Sequence, residues 1–164
     1  MAAILVVIYL TEGILGGDIF QPDLNAVYPF LQVNALVWQG EVWMLFTSMF
    51  LHADILHLGG NLLFLLLFGT ALEEQVSPRR WMFTYLVSGL VGNLTFLLLG
   101  GDAIGLGASG AIWGLLAAAG GMRGLVGMIF YGGLNMFAGG GFLAHAGGLL
   151  AGLVIRFSWL RRIP

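Results

Sequence analysis

Gly107-Ala108-Ser109-Gly110 opens an apolar stretch, 108–122, that continues through Gly114, Ala117, Ala118 and Gly121. Small side chains at these positions let a neighbouring backbone come close. The stretch therefore predicts a helix packed inside a bundle, with a single hydroxyl, Ser109, at its start.

Similar stretches flank it on both sides, at 2–15, 55–72 and 81–99 before it and at 124–138 and 142–160 after it. About 20 residues span a hydrocarbon core, so 108–122 and 124–138 are short. Such helices tilt less, end below the surface or thin the bilayer. The 164 residues are 59% hydrophobic and only 9% charged, against about 25% charged in soluble domains. A soluble domain of this size cannot hide that much apolar surface, so the excess faces lipid. The expected fold is an all-α polytopic membrane protein, one six-helix transmembrane domain over 1–164. Residues 16–54 mix Asp18, Asp23, Asn25, Gln32, Asn34 and Glu41 with Tyr28, Phe30, Trp38 and Trp43. Such mixing suits a loop lying in the membrane interface.

Composition excludes several classes. With no Cys there is no disulfide framework, thiolate chemistry or Cys–metal site. A net charge of −2 without a basic patch gives nucleic acid nothing to bind. The first apolar stretch lacks a positive n-region and a convincing cleavage signal, so it reads as a retained helix. No internal repeat of the kind that builds transporters is present.

Orientation follows from arginine, since the chain has no lysine. In a six-helix arrangement Arg79, Arg80, Arg123, Arg156, Arg161 and Arg162 all fall on one side, which the positive-inside rule makes cytoplasmic, together with both termini. Asp18, Asp23, Glu41 and Asp102 fall on the other. The expected location is a prokaryotic plasma membrane.

Polar groups inside spans are expensive and mark a functional site by default. His57 and Asn61 share one helix face at i, i+4 in the outer half of the second segment. Ser109 starts the fourth and His145 lies one turn into the sixth, so three segments contribute polar groups at one depth. Gly148 and Gly152 follow His145 at i+3 and i+7, allowing the fourth and sixth helices to cross closely. A serine hydroxyl becomes nucleophilic when an adjacent base takes its proton, and histidine suits that task. A tetrahedral oxyanion needs donors held in place beforehand. Asn61, His57 and the free N–H groups at the start of the fourth helix can supply them. No carboxylate is placed to orient His145, so the expected site is a dyad.

Blander readings stand beside these. A serine in a membrane helix commonly bonds back to a carbonyl, and His145 or Asn61 can be interhelical glue. His52, His57 and His145 can be imagined around zinc, although no Cys or H-E-x-x-H pattern supports it. His52 reads as a structural loop residue, Asp54 and Asp102 as loop residues, and Glu12 has no assigned partner.

These residues resemble the rhomboid family of intramembrane serine proteases. Gly107-Ala108-Ser109-Gly110 is similar to its GxSG nucleophile motif. His57-Leu58-Gly59-Gly60-Asn61 is similar to its HxxxN element, and Ala144-His145-Ala146-Gly147-Gly148 with Gly152 to its AHxxGxxxG motif. The resemblance runs from about Gly40 to Gly152. It implies a six-helix rhomboid-like bundle with a water-filled cavity opening to the outer face. It also implies cleavage of transmembrane protein substrates within the lipid bilayer, without metal, nucleotide or other cofactor. Ser109 then takes the nucleophile role, His145 the base, and His57 and Asn61 the oxyanion role. Two features depart from the family pattern. Trp43-Met44 stands where Trp-Arg is usual, and only 36 positions separate Ser109 from His145, which trims the fifth helix and its loops. A catalytically silent relative that binds membrane proteins without cutting them is the alternative.

Overall fold

The computed structural model describes residues 1–120 and 141–160; the segment expected at 124–138 lies outside them. The described chain is mostly helical. Helix α1 covers Ala2–Gly16 and ends where Gly17 turns left-handed at φ 76°, the usual glycine stop. Two long helices come later, α4 (Ile55–Glu73) and α5 (Pro78–Leu99). Asp54 caps α4 by accepting the His57 backbone N–H at 2.8 Å. Pro78 starts α5 one turn earlier than the apolar pattern at 81 suggests, because its ring presets the first helical φ and its missing N–H costs nothing there. Helix α6 runs Ser109–Ala119 and stops at Gly120, whose φ of +55° carries the chain out of the helix. Helix α7 runs Phe142–Ile155 and passes into a π turn at Arg156–Leu160.

Only α4 and α5 are long and apolar enough, by length and composition, to cross a membrane among the described residues; α1, α6 and α7 are shorter. The shortness of α6 has a packing reason. Every residue from Gly110 to Ala119 is buried, with α4, α5 and α7 packed around it. Its eleven residues rise only about 16 Å, so it is the core of the bundle instead of its lipid-facing wall. A helix apolar on all sides belongs in that place. Leu5, Tyr9, Leu58, Leu65, Leu72 and Tyr85 close the core around it.

Segment 16–54, expected as a single interfacial loop, is instead a folded unit. It contains a 3₁₀ helix at Leu24–Phe30, strand β1 (Gln32–Val33), short helices α2 (Asn34–Trp38) and α3 (Met44–Thr47), and a 3₁₀ turn at Ser48–Phe50. Val27, Leu31, Val33, Val37 and Leu51 form a second apolar cluster with Leu97 of α5. Met44 is 2% exposed within it. The side chain that replaces the expected arginine is thus a core contact of this unit. The aromatics that suggested an interface, Tyr28, Phe30, Trp38 and Trp43, do stay exposed. Strand β1 pairs antiparallel with β2 (Ile104–Gly105), joining Gln32 to Gly105 and Val33 to Ile104.

Helices α4, α6 and α7 end close together. Arg156 Nη1 donates to the Ala118 and Ala119 carbonyls at 2.7 and 2.9 Å, and Gln75 Nε2 to the Ala119 carbonyl at 3.1 Å. These bonds tie the C-terminal ends of α4, α6 and α7 together. Arg79 and Arg80 open α5 at that same end, opposite Ser109. Arg123, Arg161 and Arg162 lie outside the described residues.

Candidate active site

Ser109 is the first residue of α6 and His145 the fourth of α7. Their meeting is dictated by glycine. A Cβ added to Gly148 would collide with the Gly110 carbonyl, and one on Gly152 with the Gly114 carbonyl. The two helices thus touch backbone to backbone over two successive positions spaced by four. That register lays His145, three residues before Gly148, beside Ser109, one residue before Gly110. His145 Nε2 lies 2.8 Å from Ser109 Oγ. On its other side α7 presses on α5, where Gly92 faces the Ala144 carbonyl and Gly147 faces Thr95.

The His145 ring is fixed by two neighbours. Trp113, 2% exposed and one turn along α6 from Ser109, stacks on it at 5.8 Å between centroids and 27° between planes. Gly141 also lies against it: a Cβ there would come within 2.9 Å of Cε1 and Nε2. Both residues escape sequence reasoning. Trp113 reads as one more apolar core residue, and nothing marks Gly141 among its glycine neighbours.

His57 and Asn61 of α4 approach from the opposite wall. Gly107 has φ +118°, and a Cβ at this position would lie 2.9 Å from His57 Cε1 and Nε2 and 4.0 Å from Asn61 Nδ2. Glycine therefore serves here both for its backbone conformation and for the His57 ring beside it. The ring nitrogens of His57 are distinguished by their surroundings. Nδ1 accepts the Ala53 backbone N–H at 3.4 Å, which leaves the proton on Nε2, the atom facing Gly107. Asn61 Nδ2 spends one of its two N–H groups on the His57 carbonyl at 3.0 Å, so a second remains. The first backbone N–H groups of α6 have no intrahelical acceptor. Ser109, His145, His57 and Asn61 all line one cavity of about 1000 Å³.

The loop that carries Gly107 is held by a buried polar network with no sequence signature. Ser48 accepts the Gly107 N–H at 2.8 Å through its carbonyl. Asn93 Nδ2 donates to Ser48 Oγ at 3.0 Å and to the Leu45 carbonyl at 2.8 Å. Gln32 Nε2 donates to the Asn93 carbonyl at 2.9 Å, and Asn34 Nδ2 to the Phe96 and Gly101 carbonyls at 3.1 and 2.8 Å. Buried backbone outside helices has no water to satisfy it, and side-chain amides supply the missing partners.

His52, which read as a structural residue, is fully buried. Its ring meets His57 edge-on at 5.2 Å. Burial, with the neighbouring His57 ring second, pushes its pKa down to about 3, so the ring is neutral. Its backbone N–H donates to Glu12 Oε2 at 3.1 Å, which gives Glu12 the partner that the sequence does not supply. Asp54 is the α4 cap described above, and Asp102 is an exposed loop residue.

The family model of the Rhomboid domain matches residues 39–162. Over 57 residues the chain is 42% identical to Rhomboid protease GluP of Bacillus subtilis, a stretch that is 35% of this chain and 11% of that protein. It is 39% identical over 59 residues to RHOMBOID-like protein 1 of Arabidopsis thaliana, 36% of this chain and 15% of that protein. With Rhomboid-like protease 3 of Toxoplasma gondii the identity is 41% over 51 residues, 31% of this chain and 19% of that protein. The matched stretch thus spans less than a fifth of each relative's own length.

Proposed function

We propose, because this chain belongs to the rhomboid family and is therefore an integral membrane protein, that it is a serine endopeptidase cutting transmembrane segments of other membrane proteins. Two of its relatives are named as proteases. The observation that carries the reading is the 2.8 Å approach of His145 Nε2 to Ser109 Oγ inside a cavity that also holds His57 and Asn61.

In this reading His145 Nε2 takes the Ser109 proton as Oγ attacks the scissile carbonyl. The oxyanion that forms accepts from the Ser109 backbone N–H, His57 Nε2–H and the remaining N–H of Asn61. His145 returns its proton to the departing amine, leaving an acyl-enzyme on Ser109. Water, deprotonated by the same ring, attacks the ester, and the carboxylic product leaves as Ser109 regains its proton. Trp113 holds the imidazole plane throughout. No step calls for a metal or cofactor.

The topology proposed with this chemistry is a single domain over 1–164 with six spans and both termini cytoplasmic. Arg79, Arg80 and Arg156 at the end opposite Ser109 support it through the positive-inside rule. The cavity then opens to the outer face. Relatives from Bacillus, Arabidopsis and Toxoplasma do not single out a prokaryotic membrane.

A fluorophosphonate probe tests the enzyme against the silent relative. Labelling of wild-type protein that disappears in Ser109→Ala and in His145→Ala is the expected result. Folded wild-type protein that never labels overturns the protease reading.

A further inference from the structure

The protease reading leaves one buried carboxyl side chain without a task. Glu12 sits in α1, is 1% exposed and comes from a part of the chain that precedes the matched domain. A carboxyl group in such a place is costly unless it is bonded. Oε2 accepts the backbone N–H of His52 at 3.1 Å, while Oε1 has no hydrogen-bond partner among the described residues.

Residues 52–54 form a strap between α1 and α4, and each of the three is tied to a part of the site. His52 is held at its N–H by Glu12 and rests its ring edge-on against His57. Ala53 donates its N–H to His57 Nδ1. Asp54 accepts the His57 backbone N–H and caps α4. The Ala53 bond is the one that decides which ring nitrogen of His57 keeps a proton, and at 3.4 Å it has little distance to spare. Its geometry depends on where residue 52 is fixed. The only side chain that bonds the backbone of residue 52 among the described residues is Glu12.

We infer that Glu12 is a positioning residue for the oxyanion site: by anchoring His52 it holds the Ala53 N–H on His57 Nδ1 and so keeps a proton on Nε2, facing Gly107. The inference rests on the proposed oxyanion role of His57 for its effect on turnover, but its effect on the tautomer stands apart from any activity. The group needed is an acceptor, not a charge. Glutamine retains such an oxygen, whereas leucine of similar size does not.

The test uses the full chain in detergent with nitrogen-15 labelled histidine. Wild type and Glu12→Gln are expected to show His57 protonated on Nε2, with the His52 amide protected from exchange. Glu12→Leu is expected to show mixed tautomers and a faster-exchanging His52 amide. On a fluorescent transmembrane peptide that wild type cleaves, Glu12→Leu is expected to lose about tenfold in kcat with KM changed less than twofold, and Glu12→Gln to stay within twofold. A wild-type His57 protonated on Nδ1 overturns the inference, as does a Glu12→Leu protein with unchanged tautomer and kcat. If Glu12→Leu does not fold, the wild-type tautomer and the Glu12→Gln comparison still decide. Absence of all cleavage with the expected tautomers would count against the protease reading and leave the positioning of His57 intact.

Discussion

The two walls of the cavity are built by opposite means. On the side of Ser109 and His145, α6 and α7 meet at Gly110, Gly114, Gly148 and Gly152 with carbonyls where side chains would otherwise stand. Position is set there by the absence of atoms, and by helices that satisfy their own backbone bonds. On the side of His57 and Asn61, the segment before α4 is made of short elements joined by tight turns, and Gln32, Asn34, Ser48 and Asn93 hold it by reaching for carbonyls and amides. Position is set there by the presence of polar atoms. Where regular helices can be used, small residues suffice; where the chain must be irregular away from water, every polar group needs a named partner.

The contrast predicts different failures. The largest effect is expected from Gly148→Leu, which drives a side chain into the Gly110 carbonyl and parts Ser109 from His145. Probe labelling should vanish and thermal unfolding should fall by several degrees or more, since overpacking commonly costs about 1–3 kcal/mol and here meets backbone. Labelling at the wild-type rate would break the comparison. Next comes Asn61→Ala, which removes a donor and leaves the helices alone. Turnover should drop roughly 10²- to 10³-fold with melting nearly unchanged; a loss below tenfold assigns the oxyanion to other donors. Asn34→Ala removes a second donor from the Phe96 and Gly101 carbonyls, which keep the Gly100 and Ala103 N–H groups, and takes the Asn34 acceptor from Gln32, at roughly 0.5–1.5 kcal/mol for each bond lost. Its signature should be lowered stability with residual labelling, and a complete loss of labelling in folded protein would show the two walls to be coupled.

A further effect concerns pH and leaves the geometry of both walls alone. The ordinary value for His52 is 6.5 and burial holds it at about 3. The unfolded chain takes up a proton near pH 6.5 that the folded chain refuses. The His52 contribution to stability is therefore full above about pH 6.5 and declines as pH falls toward 3. Melting curves across that window should flatten in His52→Leu relative to wild type. Parallel declines in the two proteins would place the titrating group elsewhere.

Much of the site is legible because apolar helices make polar residues conspicuous. Ser109, His145, His57 and Asn61 stand out from their surroundings, and the spacing of Gly148 and Gly152 announces a close crossing. The folded character of 16–54 is not legible in the same way. Its elements are of two to seven residues, too short for a hydrophobic period to accumulate, and Met44 differs from an exposed methionine only by what surrounds it. Gln32 and Asn34 look like ordinary loop amides because their acceptors lie more than sixty positions away.

What the sequence by itself determined is the solvent, the helix faces and the inventory of reactive groups, since these follow from composition and from period along one helix. What only the tertiary structure decided is which nitrogen of His57 bears its proton, what Glu12 holds, and how near His145 comes to Ser109. Those depend on hydrogen bonds and contacts between elements distant in the chain, whose geometry is set by packing in three dimensions and leaves no period to read.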